Sequence, residues 1–443
     1  MAVWSIVVYL LVPYALGNLV WRALRYPAYW HRWPERFGFV TPLTGQRTIW
    51  VHAVSVGEVR SAAPLILALA DRYPRHRLVV TTMTPTGAAQ VRELCGDRAI
   101  HCYVPYDLPA AVRRFLDRIR PEVAIVAETE FWPNLFAECG RRDIPLLLVN
   151  GRVSQASLRG YLRVPNITRA MLANADLLCA QTRVDAQRLR NLGAPEHLIH
   201  VTGNLKFDVE LPARLLTEAH ELRGHWGRQR PVWIAASTHR GEERKVLDAF
   251  ARLKARLPQL LLVLVPRHPE RFHSVARLCR SRGYAVALRS RTPGALPPGT
   301  EVLVGDTMGE LQRLYAASDV AFIGGSLVPH GGQNLLEACA VHVPVVFGPH
   351  MFHFEEISAM ALERGAARQV LDIDELVAAV TLYFEQPELR RVAGRAAHSL
   401  VTENRGALAR TLGHVEAALL AAGWNELAAP AAGRASAAPA RGA

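Results

Sequence analysis

The chain has 443 residues, half of them hydrophobic, and a formal net charge of +13. This length exceeds one ordinary hydrophobic core, so two or three domains are expected. The six cysteines are scattered without a C-x-x-C pair, which argues against a disulfide scaffold or a zinc site. The basic residues are dispersed and accompany no recognisable nucleic-acid module. We therefore expect an anionic membrane surface or an anionic substrate as partner, and no nucleic acid.

The first 21 residues contain no charged side chain, and arginines follow from Arg22 onward. Such a run is long enough to cross or enter a bilayer. It lacks the preceding basic residues and the cleavage site of a secretory signal. We predict a membrane-anchor helix over residues 1–23. The body of the chain is expected on the cytoplasmic face, because a positive flank stays on that side. Pro13 and Gly17 leave open whether the helix spans the membrane or lies in its interface. A buried helix of the globular domain is disfavoured, because the run has no polar face.

Beyond this segment, apolar runs that predict buried strands alternate with stretches of helical periodicity. In the first half of the chain, strands are predicted at residues 48–54, 78–82, 123–127, 145–149 and 177–180. A polar and basic segment over 208–231 is predicted to be a helical connector. Further strands are predicted at residues 232–236, 260–265, 301–304, 320–323 and 343–347.

Strands that alternate with helices predict an α/β fold with parallel sheets. We expect two Rossmann-like lobes, an N-terminal one over residues 24–212 and a C-terminal one over 213–427. Residues 428–443, rich in Ala, Pro, Gly and Arg, are predicted to form a disordered tail. Ligands bind such sheets at the carboxyl ends of the strands, and a cleft between two lobes is the natural active site.

A glycine-rich stretch follows the predicted strand 320–323. Gly324-Gly325 ends the strand, and Gly331-Gly332 precedes an apolar stretch that begins at Asn334 and carries Glu337. We predict a strand, a glycine loop, a helix capped by Asn334 and a second strand. Glycines at such a loop let the backbone approach a ligand closely, and the helix start suits a phosphate. Glu337, one turn further on, is placed to accept hydrogen bonds from a ribose. The alternative is an ordinary βαβ crossover in which these residues serve the turn and the surface.

Eight strings of the sequence together resemble one family. They are HAVSVGE (52–58), TTMTPTG (81–87), ETEFWPN (128–134), TGNLKFD (202–208), STHRGEE (237–243), PRHPERF (266–272), GDTMGEL (305–311) and GGSLVPHGGQNLLEA (324–338). Their order and spacing resemble the Kdo (3-deoxy-D-manno-octulosonic acid) transferases of lipopolysaccharide synthesis, over about residues 1–420. The resemblance implies a glycosyltransferase B-type fold, CMP-Kdo as donor and the lipid A precursor as acceptor. It also implies an inverting reaction without a metal or cofactor.

The resemblance also implies roles for single residues. Glu58 is the general base, Glu128 assists the transition state, and Lys206 offers a point charge to a carboxylate or phosphate. From spacing alone, the better interpretation of Glu58 is a favourable acid in the first turn of a helix, and that of Lys206 is a solvated lysine. The resemblance favours the functional role of both. Glu130 is expected to be a buried structural partner that points away from Glu128 if the strand persists.

The donor site implied by the resemblance lies in the second half of the chain. It comprises Arg267, His268, Met308, Gly309, Glu310, Asn334, Leu335, Leu336 and Glu337. Ser237 and Thr238 are equally placed to touch phosphate or to cap a helix. Gln333 stands where the family pattern has His, and Leu335 where it has Pro. Gln keeps a hydrogen-bonding group but cannot become cationic, so any role that needs a charged imidazole is in doubt here.

Other functions are compatible with the same pattern. A nucleotide-sugar epimerase or hydrolase of the same fold has no need of a membrane anchor, and a non-catalytic nucleotide-sugar or lipid-binding module would bind without turnover. A dehydrogenase is disfavoured, because no G-x-G-x-x-G follows the first strand. His350-x-x-His353 lacks further ligands in reach, so a metal site is not expected there.

Overall fold

The computed structural model describes residues 2–424, and the predicted tail over 428–443 lies outside them. The chain folds into two compact units. The first contains the chain up to Leu205 and the segment that begins at Gly406. The second contains Lys206–Arg405.

The first unit is built on a parallel sheet. Its strands are β1 Arg47–His52, β2 His76–Thr82, β3 Ala99–Tyr103, β4 Pro121–Ala127, β5 Leu146–Gly151, β6 Leu177–Ala180 and β7 Ile199–Val201. They lie in the order β3-β2-β1-β4-β5-β6-β7. The helices up to residue 205 are α1 Ala2–Arg25, α2 Val56–Arg72, α3 Pro85–Cys95, α4 Pro109–Ile119, α5 Pro133–Arg141, α6 Gln155–Tyr161, α7 Pro165–Leu172 and α8 Arg183–Asn191.

Strand β1 shows why this sheet is covered on both faces. Ile49 and Val51 belong to one apolar cluster, and Trp50 between them belongs to another. Successive side chains of a strand point to opposite faces, so the sheet needs an apolar layer on each side. Helices that return each strand to the same edge provide these layers.

The second unit repeats this architecture. Its strands are β8 Val232–Thr238, β9 Leu261–Pro266, β10 Val286–Leu288, β11 Val302–Val304, β12 Val320–Ile323, β13 Val345–Phe347 and β14 Ala367–Gln369. They are parallel and lie in the order β10-β11-β9-β8-β12-β13-β14. Its helices are α9 Leu215–Trp226, α10 Glu242–Arg256, α11 Phe272–Ser281, α12 Leu311–Ala316, α13 Leu336–Ala340, α14 Glu355–Glu363, α15 Ile373–Glu385 and α16 Pro387–Asn404. The predicted α/β fold with two parallel sheets is confirmed.

The domain limits differ from the predicted ones at both ends of the second unit. Helix α17, Ala407–Ala421, packs into the first unit, where Val415 and Leu419 join the core cluster of Ile49 and Val51. The second unit therefore ends at Arg405 rather than at 427. It begins at Lys206 rather than at 213. Helix α9 was predicted as a connector, but its apolar face is part of the second unit's core.

Helix α1 is exposed along most of its surface. Within residues 2–424, the segment Trp4–Arg25 is the one helix long and apolar enough to cross a membrane, with a mean hydropathy of 1.5. Leu19 and Ala23 are its buried apolar side chains, whereas Leu10, Tyr14 and other large side chains are exposed. This exposure is what a membrane-contacting helix requires, because a helix of a soluble core would bury these groups.

Candidate active site

Glu58 lies in the first turn of helix α2, directly after the end of strand β1 and a short loop. Ser55 is the N-cap of that helix, and its hydroxyl accepts the Glu58 N–H at 3.3 Å. The Glu58 carboxylate reaches back, accepting the Val54 N–H at 2.7 Å and the Ser55 hydroxyl at 2.8 Å. This is close to a capping box, in which a Ser and a Glu three residues later satisfy the free donors of a helix start. The first-turn role considered from the sequence is thus present, and it fixes the carboxylate in one orientation.

The surroundings of the Glu58 carboxyl also shift its pKa. It is 8% exposed. Burial, together with the negative charges of Glu130 and Glu128, raises its pKa to about 8, against the hydrogen bonds from Ser55 and Val54. Burial and like charges both disfavour the ionised form. A carboxylate with a pKa near the working pH is a stronger base than an ordinary glutamate, which is what general-base catalysis requires.

Glu128 and Glu130 follow strand β4, on the loop to helix α5. The strand ends at Ala127, and Glu128 adopts a left-handed backbone with φ +59°. The strand does not persist beyond Ala127, so the condition under which these two side chains were expected to point in opposite directions is not met. Glu130 accepts the Trp132 indole N–H at 2.9 Å, and burial raises its pKa. It is a structural partner, as predicted, but it is also the charge that acts most strongly on Glu58.

Two aromatic residues beside these carboxylates were missed by sequence reasoning. His52, at the end of β1, is buried, and burial lowers its pKa to about 3, so the ring is neutral. Its Nδ1 lies 2.9 Å from the Thr81 hydroxyl, and its ring meets Trp132 edge-to-face at 5.4 Å. Within the described residues, His52 Nε2 has no hydrogen-bond partner. His52 and Trp132 belong to the strings HAVSVGE and ETEFWPN, and this was the only feature of the sequence that pointed to them.

Lys206 is the first residue of the second unit, in a short 3-10 turn over Leu205–Phe207. Its ammonium lies 5.8 Å from the centroid of the Phe354 ring, a cation–π distance. The residue before it is fixed, because the Leu205 N–H donates to the Asn150 carboxamide at 3.0 Å. Lys206 is therefore held on a defined segment, and its catalytic role stays a prediction.

The glycine loop after strand β12 is organised by a buried carboxylate. Glu242, fully buried at the start of α10, accepts the backbone N–H groups of four residues, namely His239, Gly325, Ser326 and Leu327, at 2.7–3.1 Å. Ser326 accepts the Gly348 N–H at 2.8 Å through its hydroxyl, which ties β13 to the same loop. These bonds fix the loop before any ligand is present.

The second glycine pair serves the packing of the loop itself. Gly331 and Gly332 have φ of +88° and +75°, a backbone region that favours glycine. A Cβ at Gly331 would lie 2.4 Å from the His353 ring, and one at Gly332 would lie 2.3 Å from the Met351 sulfur. Packing of the protein's own side chains is therefore enough to explain why both positions are glycine, and the close approach of a ligand to this backbone stays a prediction.

The predicted helix after this pair is short and begins later than Asn334. Helix α13 spans Leu336–Ala340, and the Asn334 carboxamide accepts the Leu336 N–H at 3.0 Å. The predicted capping role of Asn334 is thus present in this form. Leu335 and Leu336 are buried core residues. Burial and then the nearby Glu337 charge raise the pKa of the Tyr315 phenol, which locates the Glu337 carboxylate near this buried ring.

Gln333 faces a group of histidines. Its amide nitrogen lies 3.2 Å from His239 Nε2, and the His239 ring stacks on His330 at 4.4 Å. Burial, followed by the charges of His330, His268 and two arginines, lowers the pKa of His239 to about 4. A neutral ring nitrogen can accept the Gln333 amide proton. The Gln333 side-chain amide thus donates a hydrogen bond to the neutral His239 ring.

The remaining residues predicted for the donor site lie at other strand ends of the second unit. Arg267 and His268 directly follow β9; Arg267 is half-buried and His268 exposed. Met308 and Gly309 are exposed on the loop before α12. Glu310 is bound by the Arg289 guanidinium at 2.9 Å, by the Thr307 hydroxyl and by Arg313 at 3.2 Å. Its side chain is committed to these partners, so a ligand would meet the backbone of this loop.

Ser237 and Thr238 end strand β8. Ser237 has a left-handed backbone with φ +57°, and the Thr238 hydroxyl donates to the buried Glu243 carboxylate at 3.0 Å. Glu243 also accepts from Arg271 at 2.5 Å. Thr238 therefore holds the start of α10 through Glu243. Among the residues that the structure describes, no group of three His, Cys, Asp or Glu side chains is arranged to hold a metal ion.

Two Rossmann-like units with parallel sheets place the chain in the class of the glycosyltransferase B-type fold. UDP-GlcNAc 2-epimerase from Neisseria meningitidis, solved with UDP-GlcNAc, superimposes with a TM-score of 0.52 over 85% of this chain and 100% of that one. At 14% sequence identity this likeness concerns the fold alone.

Sequence relatives define the family. Residues 31–209 match the family model for 3-deoxy-D-manno-octulosonic-acid transferase (kdotransferase). The 3-deoxy-D-manno-octulosonic acid transferase of Haemophilus influenzae is 41% identical over 88% of this chain and 92% of its own length. That of Bordetella pertussis is 39% identical over 92% of this chain and 98% of its own length. The chain belongs to the 3-deoxy-D-manno-octulosonic acid transferase family, as the motifs had indicated, and is a glycosyltransferase.

Proposed function

We propose that this protein transfers Kdo from CMP-Kdo to a hydroxyl of the tetraacylated lipid A precursor, with inversion and without a metal ion. The observation that carries the proposal is the Glu58 carboxyl, oriented by Val54 and Ser55, with its pKa raised to about 8 by burial and by two neighbouring carboxylates. Membership of the family supports Kdo as the transferred sugar.

The chemistry follows from this carboxylate. Glycosyl transfer passes through an oxocarbenium-like state, in which the bond to the leaving phosphate is largely broken. The acceptor oxygen attacks the anomeric carbon from the face opposite to CMP, and its proton passes to Glu58. The electron pair of the breaking bond leaves with the CMP phosphate. Glu128, beside Glu58, stabilises the positive charge that develops on the sugar.

The donor is held by groups of the second unit. Arg267 after β9 suits bidentate binding of the CMP phosphate, with His268 next to it. The exposed backbone of Met308, Gly309 and Glu310 offers hydrogen bonds to cytosine or ribose, and Asn334, Leu335 and Leu336 shape the loop that presents Glu337 to the ribose. Lys206 meets the carboxylate of Kdo or the departing phosphate, because an ammonium acts on either as a point charge.

Helix α1 and the net positive charge of the chain support activity at a membrane surface. We infer attachment to the cytoplasmic face of the inner membrane, where an amphiphilic acceptor with phosphates resides. The exposed apolar surface of α1 enters the bilayer, and the net charge of +13 attracts the anionic surface.

One assay tests the proposal. The purified protein is incubated in detergent with CMP-Kdo, the tetraacylated disaccharide phosphate and EDTA, and the lipid products are weighed by mass spectrometry. Lipid heavier by one or more Kdo units is expected, with CMP released in equal amount. Free Kdo without a lipid product would support the hydrolase alternative. CMP binding without any turnover would support a binding module.

A further inference from the structure

Helix α1 encloses a cavity of about 280 Å³ against the first unit. Trp4, Val8, Leu11, Val12 and Ala15 form its wall on the helix. These positions follow the i, i+4, i+7, i+8, i+11 pattern of one helix face. The opposite wall is formed by residues 106–108 and 131–133, the loops after β3 and β4. The cavity therefore depends on a segment that its composition assigns to the membrane.

The helix wall is fixed by polar contacts, which leave the interior apolar. The Trp4 indole N–H donates to the Asp107 carboxylate at 2.9 Å. Asp107 also accepts the backbone N–H groups of Asn134 and Leu135 at 3.0 and 2.9 Å. The one carboxylate in the lining is thus committed to the protein. Apolar side chains remain to meet an occupant, and an open pocket with an apolar lining favours an apolar ligand.

The cavity adjoins the carboxylates of the candidate active site. Trp132 forms part of its wall, and the same indole donates to Glu130 at 2.9 Å. Glu130 is the charge that acts most strongly on Glu58. A molecule whose hydroxyl reaches Glu58 can therefore extend along Trp132 into the cavity.

Positive charge lies at the wall formed by Tyr106. The Tyr106 N–H donates to the Arg36 carbonyl at 2.8 Å. Burial raises the pKa of the Tyr106 phenol, and the nearby charges of Arg36 and Arg22 oppose that rise. Within the described residues, Arg36 Nε and Nη2 have no hydrogen-bond partner, although the residue is 2% exposed. Cationic side chains on this side of the pocket favour an occupant that also carries an anionic group such as phosphate.

We propose that this cavity binds one acyl chain of the phosphate-bearing lipid acceptor and so aligns the acceptor sugar with Glu58. The inference rests on the proposed function, because it names the part of the acceptor that the first unit recognises. Helix α1 is then a part of the acceptor site as well as an anchor. Each methylene buried in the cavity strengthens binding about fourfold.

The test fills the cavity and compares two acceptors. Val12→Trp places a large ring in the cavity, whereas Val7→Trp makes the same change at an exposed position of the same helix that does not line it. Transfer from CMP-Kdo is measured in detergent with the tetraacylated disaccharide phosphate and with its fully deacylated form. If Val12→Trp excludes about two methylenes, the ratio of kcat/KM for the acylated over the deacylated acceptor falls roughly fifteenfold. Val7→Trp leaves that ratio within twofold of wild type.

Each other outcome is decisive. An equal loss for both acceptors, or no loss, would overturn the acyl-chain site. A loss seen only in phospholipid vesicles would overturn it too, since the cavity would then hold a bilayer lipid. If circular dichroism shows that the Val12→Trp variant is unfolded, Ala15→Phe is used instead, and the same fall in the kcat/KM ratio is expected. If the wild-type protein transfers nothing to either acceptor, the proposed function fails. Calorimetry of the two acceptors without donor still decides whether acylated binding depends on position 12.

Discussion

Carboxylates lie near strand ends in both units, but their partners differ. In the first unit, Glu58 receives two hydrogen bonds and faces the like charges of Glu130 and Glu128. In the second, Glu242 receives four backbone N–H groups, and Glu310 is bound by two arginines. Like charges destabilise the ionised form, whereas donors and cations stabilise it.

The half-buried Glu310 and the buried Glu58 differ most, because burial raises the pKa of Glu242 despite its four N–H donors. Hydrogen bonds and arginine oppose the effect of burial on Glu310, whose pKa is lowered, so it holds its loop as an anion. Burial and its carboxylate neighbours raise the pKa of Glu58 to about 8, so it exchanges a proton near neutral pH. The proposed function assigns proton transfer to this carboxylate of the first unit and donor binding to the second unit.

The largest effect is expected for Glu58→Gln. Gln preserves the shape and removes the basicity, so transfer should fall by about 10²–10⁴-fold, whereas CMP affinity should stay near the wild-type value. Steady-state rates and calorimetry with CMP measure the two quantities. Glu196→Gln, an exposed glutamate of the first unit, is the control and should be fully active. Activity of Glu58→Gln within tenfold of wild type would remove Glu58 as the base.

For Glu242→Ala in the second unit, we expect a loss of stability rather than a loss of a catalytic group. The change leaves four backbone N–H groups without their acceptor in a buried loop. An unsatisfied buried donor costs about 1–3 kcal/mol, so the free energy of unfolding should fall by at least about 3 kcal/mol. Denaturant unfolding measures it, with exposed Glu270→Ala as the control. A fall below about 1 kcal/mol would show that water replaces the carboxylate and that the loop does not depend on it.

The position of a strand in its sheet explains which strands the sequence could predict. The central strands are continuous apolar runs, and β6 and β12 have the predicted bounds. The strands missing from the prediction, β3, β7, β10 and β14, are the edges of the two sheets. All but β3 are three residues long, and β14 carries Arg368 and Gln369. Edge strands bury less surface, so their sequences need less apolar character. Helix α17 was assigned to the wrong unit because periodicity shows an apolar face but not the surface that it covers.

Within the candidate site, the motifs identified Glu58 but not its surroundings. The break in strand β4 at Glu128 depends on a positive φ, which nothing in a run of Glu-Thr-Glu indicates. That break brings Glu130 into the field of Glu58. The glycine loop was located correctly, but the packing of Met351 and His353 against Gly332 and Gly331 is a tertiary contact that spacing does not reveal.

A smaller effect is expected at the glycine loop. Glu337→Ala should weaken CMP and CMP-Kdo about ten- to a hundredfold and raise the donor KM with little change in kcat, because ribose hydroxyls are bound before and after transfer. It should also abolish the preference for CMP over deoxy-CMP. Calorimetry with both nucleotides measures this, and Glu363→Ala, an exposed acid on α14, is the control. Unchanged CMP affinity would show that Glu337 does not bind the ribose and is only an acidic residue of α13 near Tyr315.

The smallest effect is expected for Glu130→Gln, which tests whether burial or neighbouring charge raises the pKa of Glu58. Glu130→Gln keeps an acceptor for the Trp132 indole and removes the like charge that acts most strongly on Glu58. The pKa of Glu58 should then fall. A base works when it is ionised, so kcat/KM rises with pH through that pKa, and in the variant this rise should move to lower pH. Transfer at pH 7 should increase by a few-fold if chemistry limits the rate.

The control for that profile is Glu196→Gln, which removes one negative charge from the surface of the same unit and should leave the rise in place. A shift equal in both variants would assign the effect to net charge. A rise that stays at the wild-type pH in Glu130→Gln would assign the raised pKa to burial alone. The contrast between the two units would then rest on how each carboxylate is buried, because the crowding of Glu58 by its neighbours would have no measurable effect.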